Sequence, residues 1–238
     1  MSLVSADDDG WREADGEGAA IAVSHAEVEA FWHWFEGSVV RDFLGSPLAV
    51  FRGEYGDPET APDFSTRFGS LSFSEREIAN FYAQSQNHRV DRLIDPRVHT
   101  AFLAIKRPII EQPDDAFIEL AMVEAQLGRQ QAERIAKKFA FWVMQTSPWT
   151  NGEIGAPSVE EFLEAEPDAL AHLYMQAYPF FDNAEEVELM KAAGYDGAIY
   201  GGSGLGAFKA EFRVFDKASV WKIATHPAGD EFGHYGFS

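Results

Sequence analysis

Cysteine is absent from the 238 residues, which rules out disulfides, cysteine-ligated zinc and thiol nucleophiles. Basic residues are scarce: 19 Lys and Arg stand against 39 Asp and Glu, a formal net charge of −20. A duplex-binding protein needs a basic face to displace counterions, so bulk nucleic-acid binding is not expected. An anionic lipid surface is disfavoured on the same grounds. No apolar run approaches the roughly 20 residues of a membrane-spanning helix. The acidic stretch from Met1 to Gly18, with Asp7-Asp8-Asp9, has neither the basic start nor the apolar centre of a secretory signal. The 7 histidines show no His-Glu-x-x-His or other ligand spacing, so no metal is predicted. Together these absences predict a soluble, cytoplasmic protein, compatible with later delivery into a host cell.

Aromatic and aliphatic residues are plentiful. The hydrophobic fraction is 46%, with 20 Phe and 6 Trp, enough to build a sizeable core. Residues 1–22 are predicted to be a disordered acidic tail, and 23–238 a single domain. Ser24 with Glu27 forms a capping box opening a helix over Ala26 to Phe35, closed by Gly37. Leu48 to Phe51 is predicted to be a buried strand and Gly56 to Thr66 a loop. A short strand follows at Ser70 to Phe73. Ser74 with Glu77 then caps a helix to about Gln84. Thr100 to Ile105 is expected to be a strand halted by Pro108. Ala116 to Met144 has helical periodicity with a break at Gly128, and Ser158 with Glu161 caps a further helix. A last helix is predicted over Ala184 to Ala193, closed by Gly194. Strands are predicted at Tyr195 to Tyr200, Phe208 to Phe215 and Ser219 to Ile223. This mixed order indicates an α+β domain with a helical insertion at about 109–193.

Two distant segments carry the chemistry. Leu48-Ala49-Val50-Phe51-Arg52-Gly53 ends an apolar strand on a cation and a glycine. A glycine-dense loop from Gly201 to Gly206 runs into the strand that bears Glu211. A cation and a carboxylate on separate strands, beside such a loop, can form a cleft for an anionic dinucleotide. Strand alternation places Lys209, Glu211, Arg213 and Phe215 on one face and Phe208, Ala210, Phe212 and Val214 on the other. Read without further context, Glu211 belongs to a solvated charged face and Arg52 to a surface ion pair. Gly202-x-Gly204-x-Gly206 precedes a strand rather than joining strand to helix, so it is no dinucleotide fingerprint of the doubly wound kind.

Six ordered segments resemble the ADP-ribosyltransferase fold, in particular the phage- and prophage-associated branch of polyvalent and head-morphogenesis proteins. Phe31-Trp32-His33-Trp34-Phe35-Glu36-Gly37-Ser38-Val39-Val40 is similar to that branch's Trp-Phe-Gly-x-Ser-x-Val-Val. Pro47-Leu48-Ala49-Val50-Phe51-Arg52-Gly53 is similar to Pro-Leu-x-Val-Tyr-His-Gly. Gly69 to Ala83 resembles a Gly-x-x-Phe-x-Thr strand and an Ala-x-x-Tyr helix, and His99 to Pro108 a Val-x-Leu-x-Ile-x-x-Pro strand. Gly194-Tyr195-Asp196-Gly197-Ala198-Ile199-Tyr200 matches Gly-Tyr-Asp-Gly-Ile. Ala210-Glu211-Phe212-Arg213-Val214-Phe215-Asp216 resembles the Glu-Tyr-Val-Val-Phe-Asp-Pro segment with the catalytic glutamate. The likeness covers about 31–108 and 194–223. Arg52 replaces the branch's histidine, as in the Arg-Ser-Glu class, while Ser70-Leu71-Ser72-Phe73-Ser74 departs from that class's Ser-Thr-Ser.

The resemblance implies a split mixed β-sheet core with peripheral helices, and transfer of ADP-ribose from NAD to a macromolecular acceptor, as in a mobile-element or effector-type modifier. It implies Glu211 as the carboxylate that stabilises positive charge on the ribose, and Arg52 as the ligand of a phosphate or ribose oxygen. Ser72 would orient the ribose or Glu211. Gly53 would let the backbone approach the nicotinamide amide, and Phe73 or Tyr82 would stack on the nicotinamide ring, although both also suit core packing. Lys209 stands where arginine-modifying relatives carry a second Glu or Gln, so arginine as acceptor is unsupported. NAD glycohydrolase activity and a non-catalytic binding module are the alternatives on the same fold.

Overall fold

The computed structural model describes residues 25–56, 64, 68–85, 95–202 and 209–229. Helix α1 (His25–Phe35) ends at Gly37, whose φ of +78° suits glycine; its predicted cap, Ser24, lies outside the described residues. Strand β1 (Val50–Glu54) runs further than expected, through Arg52 and Gly53. Of the predicted loop that follows, only Gly56 and Phe64 are described. Strand β2 (Leu71–Phe73) leads to α2 (Arg76–Ser85). Ser74, read as the cap of α2, instead donates its hydroxyl to Ala210 O at 3.0 Å.

Strand β3 (Arg97–Leu103) ends before Pro108 is reached, and Pro108 begins β4 (Pro108–Gln112) rather than halting β3. Proline is tolerated there because the first residue need not donate to the ladder. The predicted helix from Ala116 also begins differently. Strand β5 (Phe117–Glu119) precedes α3 (Leu120–Leu127), α4 (Arg129–Lys138) and α5 (Ala140–Val143). Gly128, with φ +84°, makes the expected break. Then come α6 (Ser147–Thr150), α7 (Val159–Ala165), β6 (Tyr174–Gln176), α8 (Tyr178–Phe181) and α9 (Ala184–Ala192). The chain closes with β7 (Gly197–Gly201), β8 (Ala210–Val214) and β9 (Val220–Pro227). The predicted helical insertion thus carries three strands besides its helices. Among the described residues no helix is long and apolar enough to cross a membrane.

The class is α+β, as expected. Three strands pair in the order β1-β3-β9 and four in the order β2-β8-β7-β4, while β5 and β6 form a separate ladder. β4 and β7 run parallel; the other paired strands are antiparallel. Strand alternation gives each main sheet an apolar face, and the two faces meet. Val50, Ala101, Leu103 and Ile105 pack there against Leu71, Phe73, Ile199, Phe212 and Val214. The opposite face of the four-stranded sheet, through Ala198 and Tyr200, buries itself under the helical segment. Phe31 and Phe35 of α1 cover Phe102 on the outer face of the three-stranded sheet.

The two sheets are stitched at one corner, where Phe51 and Ser74 exchange backbone hydrogen bonds of 2.8 Å in both directions. Helix α2 lies on β1 so closely that a Cβ on Gly53 would sit 1.9 Å from Ala79 O and 2.8 Å from Ala83 N. Both obstacles are backbone, so neither can rotate away. Gly53→Ala is therefore expected to destabilise the protein by about 3 kcal/mol, the upper part of the overpacking range. Calorimetry checks this, and a wild-type melting temperature would refute it.

Candidate active site

Strand β8 alternates as predicted: Phe212 and Val214 enter the core between the sheets, and Glu211 and Arg213 take the other face. Pairing then sets their neighbours, with Glu211 opposite Tyr200 and Arg213 opposite both Ser72 and Ala198. Ser72 Oγ donates to Glu211 Oε1 at 2.7 Å and Tyr200 OH donates to the same oxygen at 2.9 Å. Arg213 adds Nε and Nη2, each 2.7 Å from that oxygen. Every hydrogen bond to Glu211 from the described residues ends on Oε1, which leaves Oε2 without a hydrogen-bond donor among them. The side chain is 15% exposed, so the solvated charged face does not describe it.

Arg213 is the residue that sequence reasoning missed. Its side chain is 7% exposed and bridges Glu211 to Asp182, whose Oδ1 lies 2.6 Å from Nη1. Ser70 Oγ accepts from Nη1 at 3.2 Å, and Tyr200 OH accepts from Nε at 3.0 Å. Burial opposes the guanidinium charge, but Glu211, Tyr200 and Asp182 raise its pKa well above the ordinary arginine value. Burial likewise raises the Tyr200 phenol well above its ordinary value despite nearby Arg213, which keeps it a proton donor to Glu211. Asp182 arrives on the C-terminal end of α8, next to Phe181. The Phe181 ring stacks on Tyr200 with centroids 5.1 Å apart, and its carbonyl accepts from Ser70 Oγ at 2.7 Å.

Ser72 also reaches the other way. Its carbonyl accepts from Arg52 Nη1 at 3.0 Å, so a single residue links the guanidinium on β1 to the carboxylate on β8. The two side chains predicted to share one hollow therefore stand on either side of Ser72. Arg52 Nε donates to Glu54 Oε1 at 2.6 Å, and Glu54 Oε2 lies 3.3 Å from His99 Nε2. Burial alone would push the Glu54 carboxyl up. The close approach of the His99 imidazole, the charge and hydrogen bond of Arg52 and the Phe64 amide outweigh it and hold the pKa at about 2, from an ordinary 4.5. A depressed carboxyl stabilises the fold above its unfolded pKa, and that contribution fades as pH falls toward the folded value. The wild type should accordingly lose stability between pH 4.5 and about 2, and Glu54→Gln should flatten that part of the curve. Denaturant midpoints across this window check it; parallel curves would refute it.

The remaining predicted residues divide. Gly53 is explained by its contact with α2, a different reason from approach to a ligand. Phe73 is 1% exposed and belongs to the core between the sheets, with the Phe64 ring 5.9 Å away. It offers no face to a ligand, which corrects the stacking expectation; exposing a core phenylalanine would forfeit about 1.5–3 kcal/mol. Tyr82 is 47% exposed on α2, and partial burial followed by the charge of Glu211 raises its phenol. Lys209 pairs with Glu75 at 2.8 Å rather than with Glu211. In the glycine loop Gly201 and Gly202 are described, Gly202 N donating to Lys209 O at 2.7 Å; 203–206 lie outside the described residues. Among the described residues no group of three or more His, Asp or Glu is placed to hold a metal ion.

The arrangement can perform carboxylate chemistry without a nucleophile of its own. Glu211 has one oxygen fixed and the other presented, and a planar cation stands across Ser72 from it. Such a pair can hold a polar, anionic ligand and stabilise positive charge developing on it. Comparison of the chain with family models, with curated proteins and with solved structures gives no match.

Proposed function

We propose that this protein cleaves the bond between nicotinamide and ribose in NAD and transfers ADP-ribose to a macromolecular acceptor. The observation that carries this reading is the placement of Ser72, whose carbonyl holds Arg52 and whose hydroxyl holds Glu211. Nicotinamide departs as a neutral base, so the transition state resembles an oxocarbenium ion at the ribose carbon. Glu211 would accept a ribose hydroxyl on Oε2 and stabilise that positive charge, as paired carboxylates do in glycoside cleavage. Arg52 would bind a phosphate or ribose oxygen through its free Nη edge. Tyr82, exposed on α2, is the aromatic surface against which nicotinamide would lie. Lys209, ion-paired to Glu75, gives no second carboxylate at that position for gripping an arginine.

Incubation with NAD labelled in the adenylate portion, in the presence of cell lysate, tests the reading. Nicotinamide release with label on a macromolecule, both lost in Glu211→Gln, is the expected result. Nicotinamide release without labelled product makes water the acceptor and the protein an NAD glycohydrolase. Absence of both release and NAD binding at millimolar concentration would overturn the enzymatic reading in favour of a binding module.

A further inference from the structure

We propose that Glu54 is a positioning residue for the Arg52 guanidinium, and that His99 fixes Glu54 in turn. The inference rests on the proposed role of Arg52 for its functional meaning, and on the geometry alone for how that side chain is held.

Arg52, His99 and Thr225 occupy directly opposed positions on β1, β3 and β9, so their side chains form one row across a sheet face. Glu54 lies two residues beyond Arg52 and shares that face. The two Glu54 oxygens divide the work. Oε1 accepts from Arg52 Nε at 2.6 Å. Oε2 faces His99 Nε2 at 3.3 Å and accepts from the Phe64 amide at 3.2 Å. The imidazole is anchored from behind, with Nδ1 2.9 Å from Thr225 Oγ1, and the Phe64 ring packs 5.0 Å from it. His99 itself is fully buried, so it has no freedom to swing away from Glu54.

The consequence for Arg52 is directional. With Nε held by Glu54 and Nη1 by the Ser72 carbonyl, the plane of the fork is fixed, and Nη2 is left without a partner among the described residues. A long, flexible cation would otherwise lose conformational freedom at the moment of binding; here much of that ordering is already done by the fold. Glu54 therefore acts on a ligand through Arg52, without touching it.

Two measurements test this. In steady-state kinetics with NAD, Glu54→Gln is expected to raise KM about 10-fold while kcat changes less than about 3-fold, because an interaction shared by ground and transition states is weakened. In an Arg52→Ala background the same substitution should have no further effect on KM, which separates positioning from general loosening of the fold. Glu54→Asp, which keeps the charge but is one methylene shorter, should fall between wild type and Glu54→Gln. A KM effect that persists without Arg52, or a lowered melting temperature with unchanged KM, would overturn the proposal. The second measurement needs no substrate: the Arg52 Nε–H resonance in a nitrogen–proton NMR spectrum, assigned by its loss in Arg52→Lys. It should exchange slowly with solvent in the wild type and both shift and exchange faster in Glu54→Gln and in His99→Gln. An unchanged resonance in both variants would refute the proposal. If the wild type neither binds nor cleaves NAD, the proposed function fails and the resonance alone decides how Arg52 is held.

Discussion

Glu211→Gln should lower the rate of nicotinamide release by about 10²–10³-fold, the scale on which loss of one preorganised electrostatic partner slows an enzyme, while NAD affinity changes little. Glutamine has the same shape, and its carbonyl can take the place of Oε1 toward Ser72, Tyr200 and Arg213. That choice forces the amide nitrogen into the position of Oε2. A donor then faces the ribose where an acceptor stood, and the negative charge that would stabilise the oxocarbenium ion is gone. The loss belongs to the transition state, so it appears in kcat rather than in binding. Chromatographic quantification of nicotinamide at saturating NAD checks it, and a variant with wild-type kcat would remove Glu211 from the chemistry.

Arg213→Leu should cost about 3–5 kcal/mol of stability, as expected when one partner of a buried ionic network is removed. In a chain of this size that corresponds to a melting temperature lower by on the order of 10 °C. Leucine leaves Glu211 and Asp182 facing each other without the cation that separates them, and strips Ser70 and Tyr200 of a donor. Arg213→Lys keeps the charge but not the planar fork that reaches both carboxylates, so it should recover only part of the loss. Thermal unfolding of the two variants checks the ordering. An Arg213→Leu protein as stable as wild type would mean that the network contributes nothing to the fold.

Sequence reasoning was strongest where local chemistry decides the structure. Ser158 Oγ accepts from the Glu161 amide at 3.1 Å, the helix start its pattern predicts. Gly128 and Gly194, with φ of +84° and +86°, stop helices because an L side chain there is strained. The two-residue period of β8 sorted Glu211 from Phe212 without any knowledge of the fold. Strands β4 and β5 were not legible: one begins on a proline, and the other spans three residues at the head of a helical pattern. Asp182 could not be assigned because only the seating of α8 beside Arg213 gives it a role. Glu54 left a usable signal, since extending the predicted strand by three residues puts it on the same face as Arg52. The predicted strand stopped at Phe51, just short of both. Phe73 shows the converse error, in which an aromatic residue next to a site residue points to the opposite side of the sheet.

The helical segment between β5 and α9 lies apart from the two main sheets in sequence, yet it supplies Asp182 to Arg213 and the Phe181 ring to Tyr200. It is therefore no detachable ornament. Cutting it away would uncover a buried cation and unseat the carboxylate next door, so these helices and strand β8 stand or fall together when the protein is truncated.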